Sequence, residues 1–278
     1  RCNLHQSTSE SQQKSRGLVV VEASKRFAAS PPAGLAIDIS RIGLIGHSNG
    51  CEGVAAAEML VATGLVESPF TIRAVAAISS TNWEPGIRTR KAAYLQLLGS
   101  RDHLVQQGYK GTQQYDRAHR TDGAPRTHFW VDGLIHDPFN ELWLKGNNST
   151  SNIDLTSALS PETHLELGRV VLGAFMRLQL AGEEHYGGYL RGAVLPQRLR
   201  RLRISVQHQE GGLHGPAMVD TFGTNPPDIA ALNDPTLPDF MQLQQWQQDK
   251  TKNLTGGTNS FIGPKVDEDK HWRELPYD

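Results

Sequence analysis

The sequence is poor in cysteine, has no long apolar run and carries almost no net charge. Its two cysteines are Cys2 and Cys51, and the formal net charge of the 278 residues is −1 at pH 7. A nearly neutral chain gives no electrostatic reason to expect nucleic acid or an acidic membrane surface as a partner. No segment approaches the ~20 consecutive apolar residues that a membrane-spanning helix needs. Cys51 lies in an alanine-rich segment, so we expect a buried packing residue rather than half of a disulfide.

The remaining composition is that of a globular protein. Hydrophobic residues make up 38% of the chain and charged residues 21%, which are ordinary proportions for a folded domain. The length allows one large domain, or a medium one with an appendage. The sequence begins with Arg1 and shows no signal-peptide pattern. It therefore assigns no cellular compartment, and we expect that it starts within a longer gene product or after processing.

One stretch organises the rest of the chain. An apolar run at residues 42–45 predicts a buried strand, and Gly46-His47-Ser48-Asn49-Gly50 follows, which fits the pattern G-x-S-x-G. Residues 54–62 are rich in strong helix formers. Strand, sharp turn and helix in this order indicate a nucleophile elbow, with Ser48 exposed on the turn. We expect a side chain at either flanking glycine to crowd that turn.

Further strands are predicted at residues 71–80, 92–100 and 127–131, with helical patterns between them. This alternation is typical of a parallel sheet covered by helices. Residues 1–16 read as a loop, and residues 17–29 as an amphipathic helix, although Val19–Val21 would also suit a strand. A further helix is predicted from Pro161, with Ser160 as its N-cap, to a stop at Gly182.

A serine nucleophile needs an imidazole to accept its proton and a carboxylate to orient that imidazole. Asp102 follows the strand predicted at 92–100 and is the preferred acid, although it would also serve as an ordinary helix cap. Glu84, after the previous strand, and Asp116, within a helical pattern, are the alternatives.

His136 is the preferred base, because it lies in the loop after the strand at 127–131 and follows Asp102 in the chain. We expect His47, beside the serine, to point to the opposite side of the elbow. The weaker histidine candidates are His47, His103, His128 and His164.

Three segments together carry a family resemblance. They are Gly46-His47-Ser48-Asn49-Gly50 with Glu52, Gly99-Ser100-Arg101-Asp102 with Tyr115-Asp116, and Ile135-His136-Asp137-Pro138-Phe139-Asn140 with Trp143. They resemble the α/β-hydrolase superfamily, in the branch of dienelactone-hydrolase-like enzymes, chlorophyllases and bacterial polyester hydrolases. The resemblance covers about residues 17–190. It departs from the chlorophyllase-like pattern at Asn49-Gly50-Cys51, where that pattern has Arg-Gly-Gly.

The resemblance implies an α/β fold: the C-terminal part of an α/β-hydrolase, with a mostly parallel sheet and flanking helices. Only ~40 residues precede the elbow, too few for the strands and crossovers that the family has there. We therefore expect an N-terminally incomplete catalytic domain over residues 1–195. Residues 196–278 are expected to be an appended segment, β-rich or irregular.

The family's nucleophile, acid and base correspond to Ser48, Asp102 and His136, which predicts a serine hydrolase that cleaves carboxylic esters. The backbone N–H of Asn49 is expected to bind the oxyanion. Trp83 is a candidate substrate-binding residue, although a lone loop tryptophan is more often packed against its own domain. The expected substrate is a small-molecule, lipid or polyester ester.

No organic cofactor is implied, and the histidines lack a zinc-binding spacing such as H-E-x-x-H. Two alternatives stay open. One is an acyltransferase that uses the same three residues. The other is an inactive fragment or a non-catalytic binding protein with hydrolase architecture.

Overall fold

Five strands form one sheet in the computed structural model, which describes residues 11–84, 86–105, 109–118, 124–140 and 158–211. The strands are β1 (Ile42–His47), β2 (Ile72–Ile78), β3 (Ala93–Gly99), β4 (Arg126–Val131) and β5 (Ile204–Gln209). They lie side by side in chain order. Strands β1 to β4 are parallel, and β5 pairs antiparallel with β4. The four strands predicted from apolar runs are confirmed.

Five helices flank the sheet in the part of the chain that the structure describes, besides single 3₁₀ turns. They are α1 (Ser11–Ala29), α2 (Asn49–Ala62), α3 (Tyr109–Arg117), α4 (Pro161–Ala181) and α5 (Gly187–Leu190). The helix predicted at residues 17–29 is confirmed, so Val19–Val21 is not a strand. The loop predicted for residues 1–16 is wrong over 11–16, because α1 begins at Ser11.

The predicted ends of α4 are confirmed. The Ser160 side chain accepts a hydrogen bond from the backbone N–H of Thr163, and Gly182 ends the helix in the left-handed conformation. A side-chain cap satisfies one of the N–H groups that a helix start leaves without an intrahelical partner. This start matters for the site, because it lies against the loop that carries His136.

The apolar core has two layers, one on each face of the sheet. One layer packs α4 and α5 against β2, β3 and β4, and the other packs α1, α2 and α3 against β1, β2 and β3. Strands β2 and β3, in the middle, are buried almost throughout. Burial on both faces explains why their sequences are nearly continuous apolar runs. Cys51 is buried in the second layer and is a free thiol, as predicted.

The described part of the chain lies within one compact unit, residues 1–221. Strand β5 lies beyond the boundary predicted at residue 195 and nevertheless pairs with β4 of the same sheet. Most of the predicted appended segment, from residue 212 on, lies outside the described residues, and the predicted domain division stays a prediction. Within the described part, the helices are too short or too polar to cross a membrane.

A buried carboxylate connects α2 to the start of β3. Glu58 is only 1% exposed, and its oxygens accept the backbone N–H groups of Arg90, Lys91 and Ala92 at 2.7, 2.8 and 3.0 Å. Three charge-assisted hydrogen bonds offset part of the cost of burying the charge. Glu58 thus fixes the approach of the chain to the central strand β3.

Glu58→Gln should lower the free energy of unfolding by about 1–3 kcal/mol, because the new amide group would face backbone N–H donors. Urea unfolding measures the change. Glu67→Gln, at an exposed position before β2, is the matched control and should have little effect. Equal stabilities of the two variants would contradict the role given to Glu58.

Candidate active site

The turn between β1 and α2 holds Ser48 in an unusual backbone conformation. Its φ is 57° and its ψ is −129°, a region that costs a residue with a side chain on the order of 1–3 kcal/mol. The Ser48 N–H donates to the carbonyl oxygen of Ile78 at 3.0 Å, which ties the turn to the end of β2. Although Ser48 is the N-cap residue of α2, its side chain makes no capping hydrogen bond. The hydroxyl is therefore not used in starting the helix.

The two glycines of the turn have different roles. A Cβ on Gly46 would lie 2.5 Å from the carbonyl oxygen of Gly50, whereas a Cβ on Gly50 would meet nothing within 4 Å. The expectation that both positions are crowded is therefore wrong for Gly50. It is an exposed residue of the first turn of α2, and only Gly46 is required by the close approach of strand and helix.

Asp102 and His136 form a buried pair at the carboxyl ends of β3 and β4. His136 Nδ1 lies 2.9 Å from Asp102 Oδ1 and 3.0 Å from Asp102 Oδ2. The side chains are 0% and 1% exposed. Because a carboxylate only accepts, Nδ1 carries a proton, and in the neutral imidazole the lone pair is then on Nε2. The two residues that were predicted as acid and base are thus brought together.

The loops that carry this pair are packed tightly on each other. A Cβ on Gly99, at the end of β3, would lie 2.1 Å from the carbonyl oxygen of Leu134. The Ser100 hydroxyl donates to Asp132 at 2.8 Å and accepts the N–H of Gly133 at 3.0 Å. The loop after β3 therefore determines the path of the loop after β4, and the separation of Asp102 and His136 follows from this contact.

His47 contacts His136 rather than pointing to the opposite side of the elbow, so that expectation is wrong. The two imidazole centroids are 4.7 Å apart, and His47 Nε2 lies 3.1 Å from the His136 carbonyl oxygen. The contact brings the His136 loop beside the turn that carries Ser48. Burial, and secondarily the neighbouring His136, lower the pKa of His47 to about 4. His47 is therefore neutral at pH 7 and donates through Nε2.

Trp83 and Asn49 are joined by a hydrogen bond. The indole Nε1–H donates to Asn49 Oδ1 at 2.8 Å, and the Trp83 side chain remains 50% exposed. Asn49 is the first residue of α2, where the backbone N–H has no acceptor within the helix. The predicted oxyanion donor and the predicted substrate-binding residue are thus neighbours.

Glu52, one turn along α2 from Ser48, orders the loop that carries Trp83. Its carboxylate accepts the Thr81 hydroxyl at 2.6 Å and the N–H groups of Trp83 and Glu84 at 2.7 and 2.8 Å. Desolvation by burial raises its pKa. This role was missed from the sequence, where the signal was a charged residue in an otherwise apolar helical segment.

The alternative acids and bases are placed elsewhere. Glu84 accepts the N–H of Gln13 in α1 at 2.7 Å, and Asp116 lies within α3. His128 is buried within β4, and burial lowers its pKa to about 4. The His103 side chain lies outside the described part of the structure. Among the described residues, no group of three or more His, Cys, Asp or Glu side chains is placed to hold a metal ion.

No protein-family model matches the chain, and no curated protein matches it.

Gly46→Ala should destabilise the elbow, since its Cβ would overlap the backbone of α2, by roughly 2 kcal/mol or more. Gly50→Ala should be neutral or stabilising by up to about 1 kcal/mol, because Ala is the better helix former. Thermal unfolding of the matched pair measures the difference. Equal losses of stability would contradict the asymmetry of the two glycines.

Acid should destabilise the fold as the buried histidines take up protons. Their ordinary pKa near 6.5 falls to about 4 in the folded state for His47 and His128. The unfolded chain therefore binds more protons in this window. The free energy of unfolding is therefore highest above about pH 6.5 and falls as the pH is lowered towards 4. The loss is roughly 3 kcal/mol for each histidine.

Urea unfolding of the wild type and of His128→Leu at several pH values between 7 and 4 tests whether the buried histidines cause the loss of stability in acid. The free energy of unfolding of the variant should fall less steeply. His185→Leu, at an exposed position, is the control and should follow the wild-type curve. Parallel curves for His128→Leu and wild type would contradict the expectation.

Proposed function

We propose that the protein is a serine hydrolase that cleaves carboxylic esters through an acyl-enzyme intermediate. The observation that carries the proposal is the buried Asp102–His136 hydrogen bond beside a strained Ser48 turn between a strand and a helix. Their order along the chain, serine, acid and histidine, is the order of the α/β-hydrolase superfamily, which the motifs resemble. The five-stranded, mostly parallel sheet is compatible with part of that fold.

In the first step, Ser48 Oγ attacks the ester carbonyl carbon and His136 Nε2 takes the hydroxyl proton. The Asp102 carboxylate stabilises the imidazolium and keeps Nδ1 protonated. The carbonyl oxygen becomes an oxyanion at the start of α2. The Asn49 N–H and the positive end of the helix dipole stabilise that charge.

The tetrahedral intermediate then collapses. The bond between the carbonyl carbon and the leaving oxygen breaks, and His136 gives its proton to the departing alcohol. Water next attacks the acyl-serine, with its proton going to His136. The breakdown that follows releases the carboxylic acid and returns the proton to Ser48. No step of this sequence is routed through a metal ion or an organic cofactor.

Trp83 is proposed to form one wall of the substrate pocket. Its half-exposed indole is anchored at Nε1 to Asn49 and at the backbone N–H to Glu52, so the ring is held beside the elbow. A fixed aromatic surface favours contact with an apolar acyl group or an aromatic ester. Small-molecule, lipid and polyester esters all satisfy this description.

A fluorophosphonate probe followed by peptide mass spectrometry tests the proposal. The probe phosphonylates activated serines, so we expect labelling at Ser48 that is abolished in Ser48→Ala. The labelling rate should fall by about 10³-fold or more in His136→Ala, and also in Asp102→Asn, since the general base or its orientation is lost. Ser24→Ala, in the middle of α1, is the control and should be labelled like the wild type.

Circular dichroism establishes first that each variant is folded. A folded wild-type chain that the probe does not label at Ser48 would contradict the proposal and favour a non-catalytic binding protein. Labelling without release of acid from p-nitrophenyl butyrate, but with transfer to added alcohols, would identify acyl transfer instead of hydrolysis.

A further inference from the structure

A second histidine lies behind His136 and is completely buried. His164, in the first turn of α4, is 0% exposed. Its Nε2 accepts the backbone N–H of Ile135 at 2.8 Å, and its Nδ1 lies 2.9 Å from the carbonyl oxygen of Ser160. Ile135 directly precedes His136. The imidazole therefore connects the start of α4 to the residue beside the proposed base.

The partners of His164 determine its tautomer. A carbonyl oxygen only accepts, so Nδ1 carries the proton that is shared with Ser160. The N–H of Ile135 only donates, so Nε2 must present a lone pair. His164 is therefore neutral in this arrangement, and burial lowers its pKa, which favours the neutral form. A backbone N–H that would otherwise be buried without an acceptor is satisfied by a side chain.

Two further contacts reinforce the same junction. The N–H of Leu159, just before α4, donates to the carbonyl oxygen of Gly133 at 2.8 Å. The Phe139 ring packs edge-on against His164 with centroids 5.6 Å apart, and it lies against Gly168 of α4, where a Cβ would come within 3.2 Å of it. The loop between Gly133 and Phe139 is thus held by α4 on both sides of His136.

Besides the contact of His47 with its carbonyl oxygen, His136 is constrained at its ring and at the backbone before it. Asp102 fixes its ring through Nδ1, and the hydrogen bond to His164 fixes the backbone immediately before it. A ring that is fixed only at Nδ1 could still pivot about that bond, which would move Nε2 away from a serine hydroxyl. Proton transfer depends steeply on such placement, and a displacement of about 1 Å can cost about 100-fold in rate.

We propose that His164 is a positioning residue for His136, which holds the backbone of the proposed general base in place through the Ile135 N–H. The inference rests on the proposed function. It assigns His164 no contact with substrate.

The test compares a substitution that keeps hydrogen-bonding groups at this position with one that removes them. In His164→Gln, the amide oxygen can take the place of Nε2 as acceptor for Ile135. In His164→Leu, a side chain of similar bulk has no acceptor. With p-nitrophenyl butyrate, kcat should fall about 100-fold in His164→Leu with KM nearly unchanged, and stay within about 10-fold of wild type in His164→Gln. His185→Leu and His185→Gln, at an exposed histidine, should leave both constants unchanged.

Two structural measurements accompany the kinetics. In the wild type, ¹⁵N-histidine spectra should show His164 as the Nδ1–H tautomer. Hydrogen exchange should show a protected Ile135 N–H that exchanges at least about 10-fold faster in His164→Leu, and less so in His164→Gln. An Nε2–H tautomer in the wild type would overturn the proposal even if His164→Leu failed to fold. Equal loss of kcat in both variants with unchanged Ile135 protection would overturn it as well.

The same experiments separate this inference from the proposed function. If the wild type is not labelled at Ser48 by the fluorophosphonate, the proposed function fails, and a catalytic role for His164 fails with it. The tautomer and exchange measurements then still decide whether His164 holds the Ile135 N–H. If Ser48 is labelled and the His164→Leu rate equals the wild-type rate, only the positioning role is overturned.

Discussion

Parallel pairing of successive strands is the constraint on which the candidate site depends. Because β1 to β4 run in the same direction, their carboxyl ends lie along one edge of the sheet. The loops after β1, β3 and β4 carry Ser48, Asp102 and His136, which are far apart in sequence. At this edge Gly99 packs so tightly on the backbone of Leu134 that a Cβ would lie 2.1 Å from its carbonyl oxygen. The spacing of the Asp102–His136 pair is therefore set by strand geometry and not by the flexibility of long side chains.

Buried polar side chains also position the loops of the site, mainly by accepting hydrogen bonds from backbone N–H groups. Glu58 accepts three of them before β3, Glu52 accepts two in the loop of Trp83, and His164 accepts one beside His136. Loops at the edge of a sheet lack ladder partners for these groups, and burying them unpaired would cost about 1–3 kcal/mol each. Helices α2 and α4 supply the missing acceptors and thereby also select the loop conformations.

Much of the arrangement could be predicted from the sequence. Apolar runs fix the strands, and the cap chemistry of Ser160 and Gly182 fixes both ends of α4, because these signals are local. The pairing of Asp102 with His136 was also within reach, since parallel strands bring their ends together. The contacts of His47 and His164 could not be predicted. A single sequence does not show on which side of a turn the His47 ring lies, or that the distant N–H accepted by His164 lacks another acceptor.

The five strands that the structure describes have the same order in space as in the chain. During synthesis each strand therefore leaves the ribosome after the neighbour with which it pairs, and no strand has to enter between two that are already joined. The sheet can grow at one edge in the direction of translation. In that direction Ser48 is synthesised before Asp102, and Asp102 before His136. Helix α4, whose His164 accepts the N–H beside His136, is synthesised after all three residues.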